Sequence, residues 1–325
     1  MQSLKSLGLD IGYGDVKVVI GDGNQISHIF KFSSAIARAQ KVSSIRDPRI
    51  VEITLPSGEL DQVYVGPDAL SLPSNTIVDI RDYQMLEAYA PAFIAKALET
   101  AEIDASEIDV MVCGLSVAQL GMSGYFKDRI KQFTVSGKEY KFDKIFLLPQ
   151  GAGSKLAFDM YGDHYPQPRT TSAQQTYVGG DIGFNTLDMF YVTDGKTSPN
   201  LFEGVENAGV VKIAQNLQAV VKEQYSKDIT LREAKEILDS GFYKLRGQRF
   251  DMQEAIAKAC DDYTKGILSL IEERYGNVID KCDFVCLLGG GASILKSSDP
   301  FFKIVKNKSE FYNAIGFYLY GVKQL

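Results

Sequence analysis

The sequence predicts an α/β chain of two domains, with mixed sheets covered by helices. Three observations carry that expectation. Short apolar strands alternate with helical patterns along most of the chain. An Asp-Gly hairpin opens the chain, and a second of like design opens its later half at Asp181. A chain of 325 residues is also long for a single core. The first domain is expected over 1–161, completed by 300–325, and the second over 176–299.

Strand signals fill the first eighty residues, at 7–11, 16–20, 26–32, 51–55 and 63–65. Turns such as Gly21-Asp22-Gly23 and Pro56-Ser57-Gly58 punctuate them. Residues 84–101 read as a helix with Leu86, Tyr89, Phe93 and Ala97 on its apolar stripe. Buried-type strands follow at 110–115 and 144–149, separated by a helix over 124–133 and a hairpin over 135–142. The polar, proline-bearing stretch 162–175 reads as a linker. Helices are then expected over 207–224, 230–240 and 251–275. Thr230 and Glu233 form a capping box, and Gly241 suits a C-terminal turn. A buried strand at 284–288 closes on Gly289-Gly290-Gly291, and a last helix begins near Ser309.

Composition narrows the function classes. Hydrophobic residues are 45% and charged residues 23%, as in ordinary globular proteins. A net charge of −6 argues against direct nucleic-acid binding or an anionic membrane surface. No apolar stretch is long enough to span a bilayer. The opening MQSLKSLGLDIG enters a strand almost at once, so no signal peptide is expected. Cys113, Cys260, Cys282 and Cys286 form no CxxC pair and read as reduced thiols, which places the chain in the cytoplasm. With only His28 and His164, a zinc site or a histidine triad has little to build on.

Chemistry concentrates in a few motifs. Asp10 ends an apolar strand, Gly12, Tyr13, Gly14 and Asp15 turn the chain, and Lys17 lies on the strand leaving the turn. Such a turn exposes backbone N–H groups that suit phosphate oxygens, with the carboxylate directed at a hydrated metal ion. Asp181, Gly183, Phe184, Asn185, Thr186 and Asp188 repeat the device, with Thr186 offering a hydroxyl to a phosphate. Each turn taken alone also reads as an ordinary tight hairpin. Gln150 follows a buried strand and opens a helix, where its amide could orient an attacking water; a solvent-facing cap is the plainer reading. Gly289, Gly290 and Gly291 leave bare backbone for a base, ribose or phosphate, without the spacing of a Walker A loop or a GxGxxG fingerprint. Glu206 and Lys212, before and within the helix expected from 207, are within reach of a base or ribose on this reading.

Taken in order, these motifs resemble those of the actin-like ATPase superfamily of actins, chaperone ATPases and sugar kinases. Residues 10–17 resemble its first phosphate motif, 149–151 its first connecting motif, and 181–186 its second phosphate motif. Residues 288–292 resemble the adenosine motif and 313–317 the second connecting motif. The overall layout is most like ParM-type plasmid-segregation actins and archaeal actin-like proteins, although Gln150 stands where ParM-type members often carry glutamate. The resemblance implies a ribonuclease H-like fold with a nucleotide cleft between two domains, ATP or ADP with Mg²⁺ as ligands, and ATP hydrolysis. It implies catalytic roles for Gln150, Asp10 and Asp181, the two aspartates holding the metal mainly through water. It also implies homopolymeric filaments serving plasmid or DNA segregation or another cytoskeletal role, with a DNA-binding adaptor as partner. A small-molecule kinase of the same superfamily and a non-polymerising nucleotide-binding scaffold are the competing expectations.

Overall fold

Period-two apolar patterns and helical stripes decide which segments become strands and helices. The computed structural model describes residues 4–23, 25–39, 47–169, 174–197 and 199–325. The chain divides into Met1–Arg169 with Phe311–Leu325 as a first unit, and Thr170–Glu310 as a second. Of the expected linker 162–175, residues 170–173 lie outside the described residues.

The first unit runs β1 (Lys5–Ile11), β2 (Asp15–Asp22), β3 (Gln25–Ser33), β4 (Ala35–Arg38), β5 (Val51–Thr54), β6 (Leu60–Val65), α1 (Pro67–Leu70), β7 (Ile77–Asp79) and α2 (Tyr83–Ala101). It continues with β8 (Val110–Leu115), α3 (Ser123–Lys131), β9 (Gln132–Val135), β10 (Lys138–Lys141), β11 (Ile145–Pro149) and α4 (Ala152–Tyr161). Its main sheet has the order β11-β8-β1-β2-β3. β8 lies parallel to both β1 and β11 and is buried along its whole length, as a strand covered on both faces should be. Leu7, Leu9 and Ile11 of β1 join Phe93, Ile94 and Leu98 of α2 in one core. A second sheet, β10-β9-β5-β6-β4-β7, completes the unit.

The second unit runs β12 (Tyr177–Ile182), β13 (Thr186–Thr193), β14 (Lys196–Thr197), β15 (Glu203–Glu206), α5 (Val211–Tyr225), α6 (Leu231–Ser240), β16 (Phe242–Leu245), β17 (Gln248–Asp251), α7 (Gln253–Ile279), β18 (Phe284–Leu288) and β19 (Phe302–Ile304). Its sheet has the order β14-β13-β12-β18-β19, with β15 also on β13. Val178, Ile182 and Leu187 pack with Leu217, Ile267 and Ile271. The chain then returns to the first unit as α8 (Tyr312–Val322). No helix among the described residues is long and apolar enough to cross a membrane.

Four segments differ from expectation. Residues 203–206 form a strand on β13 and do not lead straight into a helix. Helix α5 starts only at Val211, because the N–H groups of Gly209, Val210 and Val211 bond the carbonyls of Asn185, Gly183 and Phe184. Residues 242–250, which carry no expected element, and Asp251, expected to open a helix, form the β16–β17 hairpin, with Gly247 in its turn at φ 83°. Residues 300–310, grouped with the first domain from sequence, belong to the second unit, where β19 extends the sheet parallel to β18.

Candidate functional site: two aspartate-glycine turns

In the first unit, Asp10 sits one residue before the end of β1 and is 4% exposed. The antiparallel register sets it opposite Lys17 on β2. The Lys17 ammonium lies 3.2 Å from Asp10 Oδ2, and Gln150 donates from Nε2 to Asp10 Oδ1 at 3.0 Å. Three residues singled out from sequence thus meet at one carboxylate. Gln150 is no idle solvent-facing cap. Gly12 N–H closes the turn onto the Asp15 carbonyl at 3.1 Å, Tyr13 bonds Gln119 through its hydroxyl, and Asp15 pairs with Lys31 at 3.7 Å. Ser34 N–H bonds the Gly14 carbonyl at 3.2 Å, supporting the turn from behind.

Gln150 is held by neighbours remote in sequence. Its N–H bonds the Leu115 carbonyl at 2.7 Å. Just after it, α4 begins without a cap of its own; Asn313 Oδ1 accepts from the N–H groups of Gly151 and Ser154 at 3.0 and 3.1 Å. Asn313 can reach because α4 and α8 nearly touch: a Cβ on Gly316 would lie 1.8 Å from the Gly153 carbonyl oxygen. Residue 313 entered the sequence reading only as part of a motif, and no local pattern marks it as a helix cap. Cys113, opposite Leu9 on β8, has its thiol pushed well above the usual range by burial and by the nearby Asp10 charge, so it stays protonated and unreactive.

In the second unit, Asp181 stands at the same place on β12, 6% exposed. Its register partner on β13 is Asp188, so two buried carboxylates share one face of the sheet. Thr186 donates its hydroxyl proton to Asp188 Oδ2 at 3.0 Å. In this arrangement the Thr186 hydroxyl points its proton at Asp188, with its oxygen left to accept. The turn Gly183-Phe184-Asn185 rests on the first N–H groups of the α5 segment, and Gly183 N–H bonds the Thr186 carbonyl at 2.9 Å. Glu206 lies opposite Thr186 across β13 and β15 and is exposed. Lys212 is exposed in the first turn of α5.

The three glycines after β18 are not alike. A Cβ on Gly289 would lie 2.2 Å from Asp181 Oδ1, and one on Gly291 would lie 2.2 Å from the Ile182 side chain. The bareness of those two is taken up by the chain's own packing, whereas a Cβ on Gly290 would meet nothing closer than 3.7 Å. Gly289 also sits at φ 89° and donates its N–H to Ser309 Oγ at 2.8 Å.

Comparison with known proteins completes the description. A model of the N-terminal domain of actin-like proteins matches residues 8–153, and one of the C-terminal domain of an MreB-like archaeal actin homologue matches 180–298. No curated protein matches the chain in sequence. Among solved structures, Ta0583, an archaeal actin homologue, is similar with a TM-score of 0.74 at 21% identity over 98% of this chain and 100% of that one. A ParM from a 15-stranded Clostridium botulinum filament gives a TM-score of 0.74 at 18% identity over 99% and 100%. Bacillus thuringiensis ParM with ATP gives 0.67 at 15% identity over 99% of each chain. The structural likeness speaks for a two-domain mixed α/β actin-like fold, and the family models cover both of its domains. This chain belongs to the actin-like superfamily.

Proposed function

We propose that the chain binds ATP through its two Asp-Gly turns, hydrolyses it, and assembles with copies of itself into filaments whose turnover follows the nucleotide state. The observation that carries the reading is the bond from Gln150 Nε2 to Asp10 Oδ1. It ties a neutral amide, able both to donate and to accept, to a buried carboxylate at the end of a strand. That pairing suits aligning a water against a terminal phosphate, because phosphoryl transfer needs positioning and charge stabilisation above all.

The backbone N–H groups around Gly12–Gly14 and Gly183–Thr186 receive phosphate oxygens, and Lys17 adds positive charge beside them. Gly290 leaves room for the nucleoside. Asp10 and Asp181 offer only hard oxygen donors, a set that fits Mg²⁺ held largely through its own waters. Bound there, the ion supplies charge neutralisation on the phosphates. Two similar proteins support the reading: a Bacillus thuringiensis ParM solved with ATP, and the Clostridium botulinum ParM solved as a filament. A filament needs only one head-to-tail contact that repeats without closing. Plasmid or DNA segregation through an adaptor, in the cytoplasm, is the role we infer for it.

The test is light scattering and phosphate release after adding ATP with Mg²⁺. Scattering should rise, and phosphate should follow. Gln150→Ala should keep nucleotide affinity within a few-fold and slow phosphate release at least tenfold. An unchanged release rate would remove Gln150 from the chemistry, and flat scattering across salt and protein concentration would remove the filament.

A further inference from the structure

The strand beside Gln150 ends in a hydroxyl that the fold does not use. Ser116 Oγ is buried and has no hydrogen-bond partner, a condition that folded proteins seldom keep without cause. Ser116 precedes the short 3₁₀ turn at 117–122 as its N-cap, where a serine side chain ordinarily accepts a backbone N–H, yet it makes no such bond. Local structure therefore does not account for it.

Its neighbourhood is defined by the strands. Ser116 follows Leu115, whose carbonyl takes the N–H of Gln150 at 2.7 Å. A Cβ on Gly114 would meet the Phe317 ring first, at 2.3 Å, and the stem of that same glutamine next, at 3.2 Å from Cγ. The backbone at Ser116 is still extended, at φ −54° and ψ 145°. Pro149 stands opposite Leu115 in the parallel register, so Ser116 and Gln150 are the next residues along two neighbouring strands, and that adjacency is what the inference uses.

We propose that Ser116 is a positioning residue for Gln150, the acceptor to which its amide transfers when nucleotide binds. In the ligand-free chain the amide proton goes to Asp10 Oδ1, while Lys17 occupies Oδ2. Asp10 would hold a hydrated Mg²⁺ through that ion's waters, so the same carboxylate oxygens would be needed as acceptors there. An amide released from Asp10 needs another acceptor, and Ser116 Oγ supplies one on the neighbouring strand. Gln150 Nε2 then donates to Ser116, and its Oε1 accepts a hydrogen bond from the attacking water, orienting it without taking its proton. The inference rests on the ATPase reading above.

Ser116→Ala and Ser116→Thr test it. The readouts are ligand-free melting temperature, affinity for ADP, affinity for ADP with aluminium fluoride, and single-turnover hydrolysis. Ser116→Ala should melt no lower than wild type, because it loses no hydrogen bond of the ligand-free fold. It should bind ADP within twofold of wild type. It should bind the aluminium fluoride complex, and hydrolyse ATP, roughly tenfold less well. Ser116→Thr should restore both. An unchanged ratio of the two affinities in a wild type that hydrolyses ATP overturns the inference alone. A lowered melting temperature with both affinities falling together assigns Ser116 a structural role and overturns it too. A wild type that does not bind or hydrolyse ATP overturns the functional reading, and this inference with it.

Discussion

The two turns are built on one plan and held in different ways. Around Asp10 the restraints are side chains: Lys17 from the next strand, Gln150 from β11, and Asn313 acting from α8 through the start of α4. Around Asp181 backbone and close packing stand beside the Thr186–Asp188 bond: Gly289 against the carboxylate, Gly291 against Ile182, and the α5 segment against the turn carbonyls. Side-chain hydrogen bonds can exchange partners with little movement, whereas a close-packed interior resists displacement. The comparison makes the Asp10 turn the one whose contacts exchange more readily and the Asp181 turn the more closely packed.

Backbone substitutions should therefore damage the second turn most. Gly289→Ala would force an L-residue to φ 89° and set a methyl 2.2 Å from Asp181 Oδ1. A destabilisation of about 3 kcal/mol is expected, read as a lowered denaturation midpoint at constant m-value. Gly290→Ala, with open space at that position, should change stability by about 0.5 kcal/mol or less. If the two variants were equally stable, the packing account of this turn would fail.

Charge substitutions should reverse the ranking. Asp10→Asn removes the counter-charge of Lys17, whose side chain is only 16% exposed, so a loss of about 2–3 kcal/mol is expected. Asp181→Asn neutralises one of two facing carboxylates and should cost well under that, with the melting temperature held or raised. Both variants should lose hydrolysis. A matching stability loss in the two would show that the Asp181 carboxylate is held by charge after all.

Much of this arrangement was legible in the sequence. Both Asp-Gly turns sit between strands with clear apolar patterns, and Gln150 follows a buried run just before a helix, so their local settings were readable. Their partners were not. Asn313 caps a helix that starts more than 150 residues earlier, and only the α4–α8 crossing through Gly153 and Gly316 brings it there. Residues 203–206 lack strand periodicity of their own and become a strand because β13 offers an open edge. The Thr186–Asp188 bond, between residues two apart on β13, depends on rotamers that the sequence does not show.

The last prediction tests the link between helix capping and chemistry. Asn313→Ala would leave the N–H groups of Gly151 and Ser154 without their acceptor in a buried site. Loss of a capping side chain costs about 1–2 kcal/mol, modest beside Gly289→Ala. The first turn of α4 also helps to fix Gln150, two residues before it, through the N-cap Gly151. If side chains set the geometry of the first turn, hydrolysis in Asn313→Ala should fall several-fold while ADP affinity holds, and Asn313→Asp, which keeps the acceptor, should recover both stability and rate. Equal stability loss without a change in rate would mean that Leu115 and Asp10 alone hold Gln150. The chain around Asp10 would then be as rigid as the chain around Asp181, and the contrast between the two turns would lie in charge and not in compliance.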